Sequence, residues 1–328
     1  MKPYIMNYAL INRSRKGWID ALRGLAILLV MYGHCITNMQ EFFVFTSPVK
    51  MPLFFAISGY VFSANGGGKF ISQLIKKVIV PWFVLGLVTA VPDLPQKGAD
   101  YLYIYFLKML SGEELWFMPC FVVAQILQYI IRKTSNSNSI ILLNSFLCFV
   151  IGLIAYKYNF FNWGMVNRAF VVQLFYLIGY LFHEYEHRLV GIKWKWIILL
   201  AEIYVGFCLL SMQLYPNQNL DVHHNYYYNI PICILLIYLG VLLLFIIACK
   251  TDYNTHCMSF IGQNTLLLYL WHLPVIAVLI KALSVMRWDF PINWWTAIIE
   301  VIWAIIVCGI CAIFINRYLP AVVGKRRM

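Results

Sequence analysis

About ten apolar stretches, each near the 20 residues a helix needs to cross a bilayer, follow one another along this chain and occupy most of it. They lie near 18–37, 48–64, 74–92, 115–132, 138–156, 166–183, 194–215, 229–249, 258–283 and 293–315. Hydrocarbon offers no partner to an open backbone N–H or C=O, so a segment of this kind must satisfy its own hydrogen bonds as a helix. The composition fits: 62% of residues are hydrophobic and 12% charged, with a mean hydropathy of +0.75. Soluble domains sit near 45–50% and about 25%. The expected fold is an all-α integral membrane protein with about ten transmembrane helices. The second stretch is short, and the ninth has room to tilt or kink at Pro274.

The first stretch is not expected to be a cleaved signal. It is too long for an h-region of about 7–15 residues and carries ionisable groups. The net charge of +12 is read as topology rather than as a nucleic-acid surface, because Lys and Arg mark cytoplasmic loops. With the N terminus inside, seventeen basic residues fall on the cytoplasmic side and seven outside, and Arg23, within the first span, completes the 25. Both termini are then cytoplasmic: a basic segment over 1–17, a membrane domain over 18–316 and a basic tail over 317–328. Of the nine cysteines, Cys308 and Cys311 form a CxxC without a second pair or a nearby histidine. No metal site is expected from that spacing.

The first span, "WIDALRGLAILLVMYGHCI", holds Asp20, Arg23 and His34. Arg23 and His34 are eleven residues apart, so they differ by only about 20° around a helix and by roughly 16–17 Å along it. Asp20 is one turn before Arg23 and within reach of it. Such a stripe must face a polar interior. The structural alternative is an interfacial Asp20–Arg23 ion pair with His34 hydrogen-bonded between helices. The functional reading rests on His34, whose imidazole can take and return a proton near neutral pH.

These residues resemble the opening helix of the acyltransferase 3 family, in which ten residues separate an Arg from a following His. "MPLFFAISGYVF" (51–62) resembles the second helix, with Phe54, Phe55, Ser58 and Gly59 in its FFxxSG element. "LIKKVIVPWFV" (74–84), "ELWFMPCFVVAQIL" (114–127) and "IGQNTLLLYLWHLPV" (261–275) resemble later segments in the expected order. Many members carry Arg-x-x-Arg at the start of the third helix, where this chain has Lys76 and Lys77. The resemblance implies a stand-alone membrane O-acyltransferase that moves an acyl group, usually acetyl from acetyl-CoA, to a hydroxyl of an envelope polysaccharide, lipid-linked glycan or sugar in a bacterial inner or plasma membrane. His34 would be the general base. Arg23, Lys76 and Lys77 would hold the CoA phosphates, although positive-inside topology alone also explains the lysine pair.

Four further residues are candidates for support or acceptor binding. Asp20 would orient Arg23, Trp116 would stack on a sugar, Glu114 would accept from sugar hydroxyls, and His272 would contact either substrate. Each also has a plain role, as ion pair, interfacial anchor, solvated loop or core hydrogen-bonder. "DVHHNYYYN" (221–229) is a polar aromatic loop suited to glycan contact. The rival reading is a transporter of a glycan or small metabolite, since buried charge is common there too; such proteins typically show paired repeats, and none is visible here.

Overall fold

The computed structural model describes residues 16–36, 39–65, 70–134, 137–286 and 293–325. Helices make up nearly all of it, and no strand occurs among the described residues beyond an isolated bridge between Asp221 and Tyr226. In chain order they are α1 (Gly17–Cys35), α2 (Gln40–Asn65), α3 (Phe70–Lys97), α4 (Tyr101–Ser111), α5 (Phe117–Thr134), α6 (Asn138–Lys157) and α7 (Val166–Val171). They continue as α8 (Gln173–Val190), α9 (Trp194–Leu214), α10 (Ile230–Thr251), α11 (His256–Gln263), α12 (Thr265–Val285) and α13 (Trp294–Tyr318). Among the described residues eight helices are long and apolar enough to cross a membrane, and nine if the bent pair Trp163–Val171 and Gln173–Val190 counts as one span. The remaining expected span is α5. Its eighteen residues have the length, but Gln125, Gln128, Arg132 and Lys133 make it less apolar.

Three spans depart from their expected form for identifiable reasons. The second span starts at Gln40 rather than 48, because Pro48 and Pro52 sit inside a continuing helix. Proline removes a helical N–H and leaves the carbonyl four residues back without its partner. Here Val44 O, four before Pro48, accepts from Cys208 Sγ at 3.6 Å, and Phe45 O accepts from Tyr204 Oη at 2.6 Å, both from α9. The third span contains a π turn over Ile75–Ile79, with Val80 N–H reaching back to Ile75 O. Pro81 follows at once, and the wider turn relieves the clash between its ring and the carbonyl of Lys77. The ninth span breaks not at Pro274 but at Asn264 (φ −116°, ψ 18°), which divides α11 from α12.

α1 and α2 form the centre of the bundle. Their apolar windows are 61% and 67% buried, against 22% for α9 at the periphery. Two crossings hold them. A Cβ on Gly262 of α11 would overlap the backbone of Asp20, and one on Gly24 would lie 2.8 Å from Met258 O. Across α2, Gly59 and Gly179 lie directly against the backbones of Tyr176 and Ala56. Small residues permit this close approach, which drives helix association where lipid removes the hydrophobic incentive.

Candidate functional site

At the end of the bundle that carries Lys16, a cavity of about 1010 Å³ opens between α1, α2, α3, α5, α8 and the α11–α12 break. That is at the upper end of ligand clefts, which run to roughly 1,000 Å³. Its mouth is polar. Asp20, 2% exposed, pairs with Arg23 Nη1 at 3.4 Å and accepts from Gln263 Nε2 at 3.3 Å. Lys16 bonds Glu186 Oε1 (2.8 Å) and Tyr60 Oη (2.6 Å). Lys77 lines the cavity, whereas its neighbour Lys76 does not. The short 3-10 turn Pro320–Val323 folds back so that Gly324 (φ +66°) lies on the backbone of Lys76 and Lys77, and Val323, Gly324 and Lys325 complete the wall. Deeper in, the lining turns apolar: Met51, Phe54, Leu85, Phe117 and Tyr269. The Phe117 and Tyr269 rings meet edge to face at 5.3 Å, and Phe117 N–H donates to Tyr269 Oη at 3.3 Å.

The stripe joining Arg23 to His34 is not open along its length. Ala26, Ile27 and Met31, which follow Arg23 on that face, are wholly buried, and Val30 nearly so. Beyond this apolar layer His34 sits in the last turn of α1 with an accessible ring, 5.3 Å centroid to centroid from His272 of α12. His272 is one turn past Tyr269 and 1% exposed. Two charged groups that the sequence reading did not single out join this end. Lys50 of α2 would have its Nζ 3.3 Å from a Cβ on Gly33, and its charge acts on both His34 and Asp221. Glu300 of α13, 8% exposed, lies close to Cys35, the residue after His34. The signal for both was present: an ionisable residue that falls within a span.

The loop between α9 and α10 covers the same end. Trp116 is stacked on His223 (4.7 Å, 14°), so one face of the expected sugar platform is already taken by an imidazole. Asp221 organises the loop by accepting from His223 N (2.8 Å) and bonding His224 Nδ1 (2.7 Å). Arg168 Nε donates to His223 O at 3.0 Å. Burial opposes ionisation of Asp221, but the bond and charge of His224 and the His223 backbone N–H hold its carboxyl below the usual range. Burial, with His224 beside it, pushes His223 down to about 4. Glu114 is half-buried nearby, its N–H donating to Lys108 O. Of the residues singled out in the sequence, then, Asp20, Arg23 and Lys77 share the cavity, His34 and His272 face each other beyond it, Trp116 meets the loop, and Lys76 stands apart.

Residues 16–315 match the family model of the acyltransferase 3 domain. The chain belongs to the acyltransferase 3 family. That span contains every element described above up to α13, so the whole bundle, rather than an appended piece, is the acyltransferase domain. No curated protein and no solved structure matches the chain. The family assignment makes this a multi-pass membrane acyltransferase.

Proposed function

We propose that this acyltransferase moves acetyl from cytoplasmic acetyl-CoA to a hydroxyl of an envelope polysaccharide or lipid-linked glycan, with both chain termini cytoplasmic. The observation that carries the reading is the cavity's gradient. Arg23, Lys77 and Lys325 stand at a mouth suited to the phosphates of CoA, and the lining becomes apolar toward Tyr269, suited to the pantetheine arm. His34 lies beyond, on the side of the polar loop, where a hydrophilic acceptor would arrive. In the reaction the acceptor hydroxyl gives its proton to His34 as its oxygen bonds to the thioester carbonyl carbon. The C–S bond then breaks, and the proton passes from His34 to the departing CoA thiolate. Asp20 holds Arg23 toward the cavity. The apolar layer of Ile27 and Met31 has to part for the thioester to reach His34, and it keeps water from that thioester until then.

The breaks at Val172 and Asn264 are the feature that favours a carrier instead, since discontinuous spans recur in transporters. One experiment separates the two. Purified protein in vesicles receives acetyl-labelled CoA on the side of Lys16 and an acceptor glycan on the other. New ester on the acceptor, dependent on His34, with CoA retained, supports transfer. Passage of intact acetyl-CoA or unmodified glycan without ester formation defeats it. Reporter fusions after residues 40, 68 and 328 should read outside, inside and inside; an outward C terminus would invert the donor side.

A further inference from the structure

His272 holds a nitrogen that the reaction above does not use. Its Nδ1 lies 2.9 Å from the carbonyl oxygens of both Leu268 and Tyr269. Carbonyl oxygens only accept, so Nδ1 carries the hydrogen, and Nε2 of the neutral ring is left as an acceptor. That Nε2 is buried without any partner, on a side chain 1% exposed. Buried polar atoms are nearly always paired, and an exception marks a functional group or a partner that arrives later. The neighbouring ring is that of His34, 5.3 Å away centroid to centroid and tilted by 40°.

We infer that His272 is a positioning residue for His34: in the reacting state its Nε2 accepts the N–H of one His34 nitrogen, which leaves the other His34 nitrogen, with its lone pair, turned to the acceptor hydroxyl. This rests on His34 being the base. The backbone carbonyls of α12 act through His272 as the fixed end of the chain, a role that a carboxylate fills in the Ser-His-Asp arrangement. Here the fixed end is neutral, which suits its depth in the bundle. Catalytic hydrogen bonds are commonly long before substrate binds, and a turn of the accessible His34 side chain closes this one. The proton taken from the hydroxyl stays on His34 and leaves to the thiolate; none resides on His272. The arrangement also explains why α12 breaks from α11 at Asn264: the separate helix places His272 opposite the last turn of α1 while Gly262 holds α11 against Asp20.

The test compares His272→Leu and His272→Gln with the unaltered protein, using two readouts. Leu keeps bulk without an acceptor, and Gln can set a carboxamide oxygen where Nε2 was. In transfer assays, His272→Leu should lower kcat by about tenfold or more with KM for acetyl-CoA little changed, and His272→Gln should restore most of it. In the second, the rate at which diethyl pyrocarbonate modifies His34 is followed by mass spectrometry of its peptide; this needs no acyl transfer. His272→Leu should slow that modification, and Gln should bring it back. Equal modification rates in all three overturn the pairing, whatever the enzyme transfers. So does a loss common to Leu and Gln that tracks a lowered unfolding temperature, which would mark a packing role. If the modification rates fall as expected but no variant or parent transfers acetyl, the pairing stands and the transfer reading falls.

Discussion

Arg23 and His34 stand on one face of one helix, yet the surroundings of the two ends of α1 have little in common. Around Arg23 the bundle is open. A cavity of about 1010 Å³ is shared by six or more elements, its charges paired through Asp20, Glu186 and Gln263. Around His34, whose ring stays accessible, the packing is closed on the inner side: an apolar layer lies beneath, a buried histidine with one bare nitrogen lies beside, and a loop pinned by Asp221 lies nearby. On the proposed reading, one end binds a large charged molecule and the other holds a few atoms in fixed relation. Their separation by Ile27 and Met31 means that binding and chemistry should be separable by mutation.

The largest expected effect falls on the closed end alone. His34→Ala should reduce transfer by about 10²–10⁴-fold, the usual share of a general base, while titration of acetyl-CoA gives unchanged affinity. If affinity falls in step with transfer, the two ends are one site and the comparison fails. Next is the open end. Lys77→Ala should weaken acetyl-CoA binding by roughly tenfold, as a charge-assisted hydrogen bond of about 1.5–3 kcal/mol allows. Lys76→Ala, outside the cavity, should change it little, so equal losses would show that the lysines act as a general basic surface. Third, the layer between: Ile27→Ala should cost about 2–5 kcal/mol, the range for emptying a packed aliphatic site. The loss would show as a lower unfolding temperature in detergent, with donor affinity intact.

The smallest effect concerns the loop and pH. His223 is held neutral in the folded loop and charges only near pH 4, whereas an unfolded histidine charges near 6.5. Its contribution to the closed loop is therefore complete above about 6.5 and declines as pH falls toward 4. Asp221, held below its ordinary range, acts in the same sense, its contribution disappearing only at lower pH still. Cleavage of the loop by an acid-tolerant protease should rise between pH 6.5 and 4 in the parent. In His223→Phe, which keeps a ring against Trp116, that rise should flatten.

Much of this was legible from residues alone. Periodicity placed Arg23 and His34 on one stripe, apolar run length gave most of the spans, and the buried charges pointed to the face of α1 that meets the polar cavity. The closed layer was not legible, because a helical period says which residues share a face and not what packs against them. Lys50 lies near the start of the stretch expected over 48–64, yet its place beside His34 was not legible, because the helix runs back through Pro48 to Gln40. The bonds from Tyr204 and Cys208 to the carbonyls at 45 and 44, which come from a distant helix, support the backbone just before Pro48. Trp116 was expected to stack on a sugar; the ring it meets in the structure is His223, more than a hundred residues away in a loop whose shape depends on Asp221.

The contact between Asp20 and Gln263 spans 243 residues of sequence, and that distance sets a problem of biogenesis. Spans enter the membrane in the order they are made, so α1 with its carboxylate has to persist there long before α11 exists to cover it. Arg23, a single turn away on the same helix, pairs with it from the start. The pair lets the segment enter as a nearly neutral unit and then exchanges part of that self-pairing for Gln263 once Gly262 seats α11 on the Asp20 backbone. On this view, removing Arg23 penalises insertion of the newborn chain as well as grip on the donor. The signature would be fewer molecules reaching the membrane, not only weaker ones.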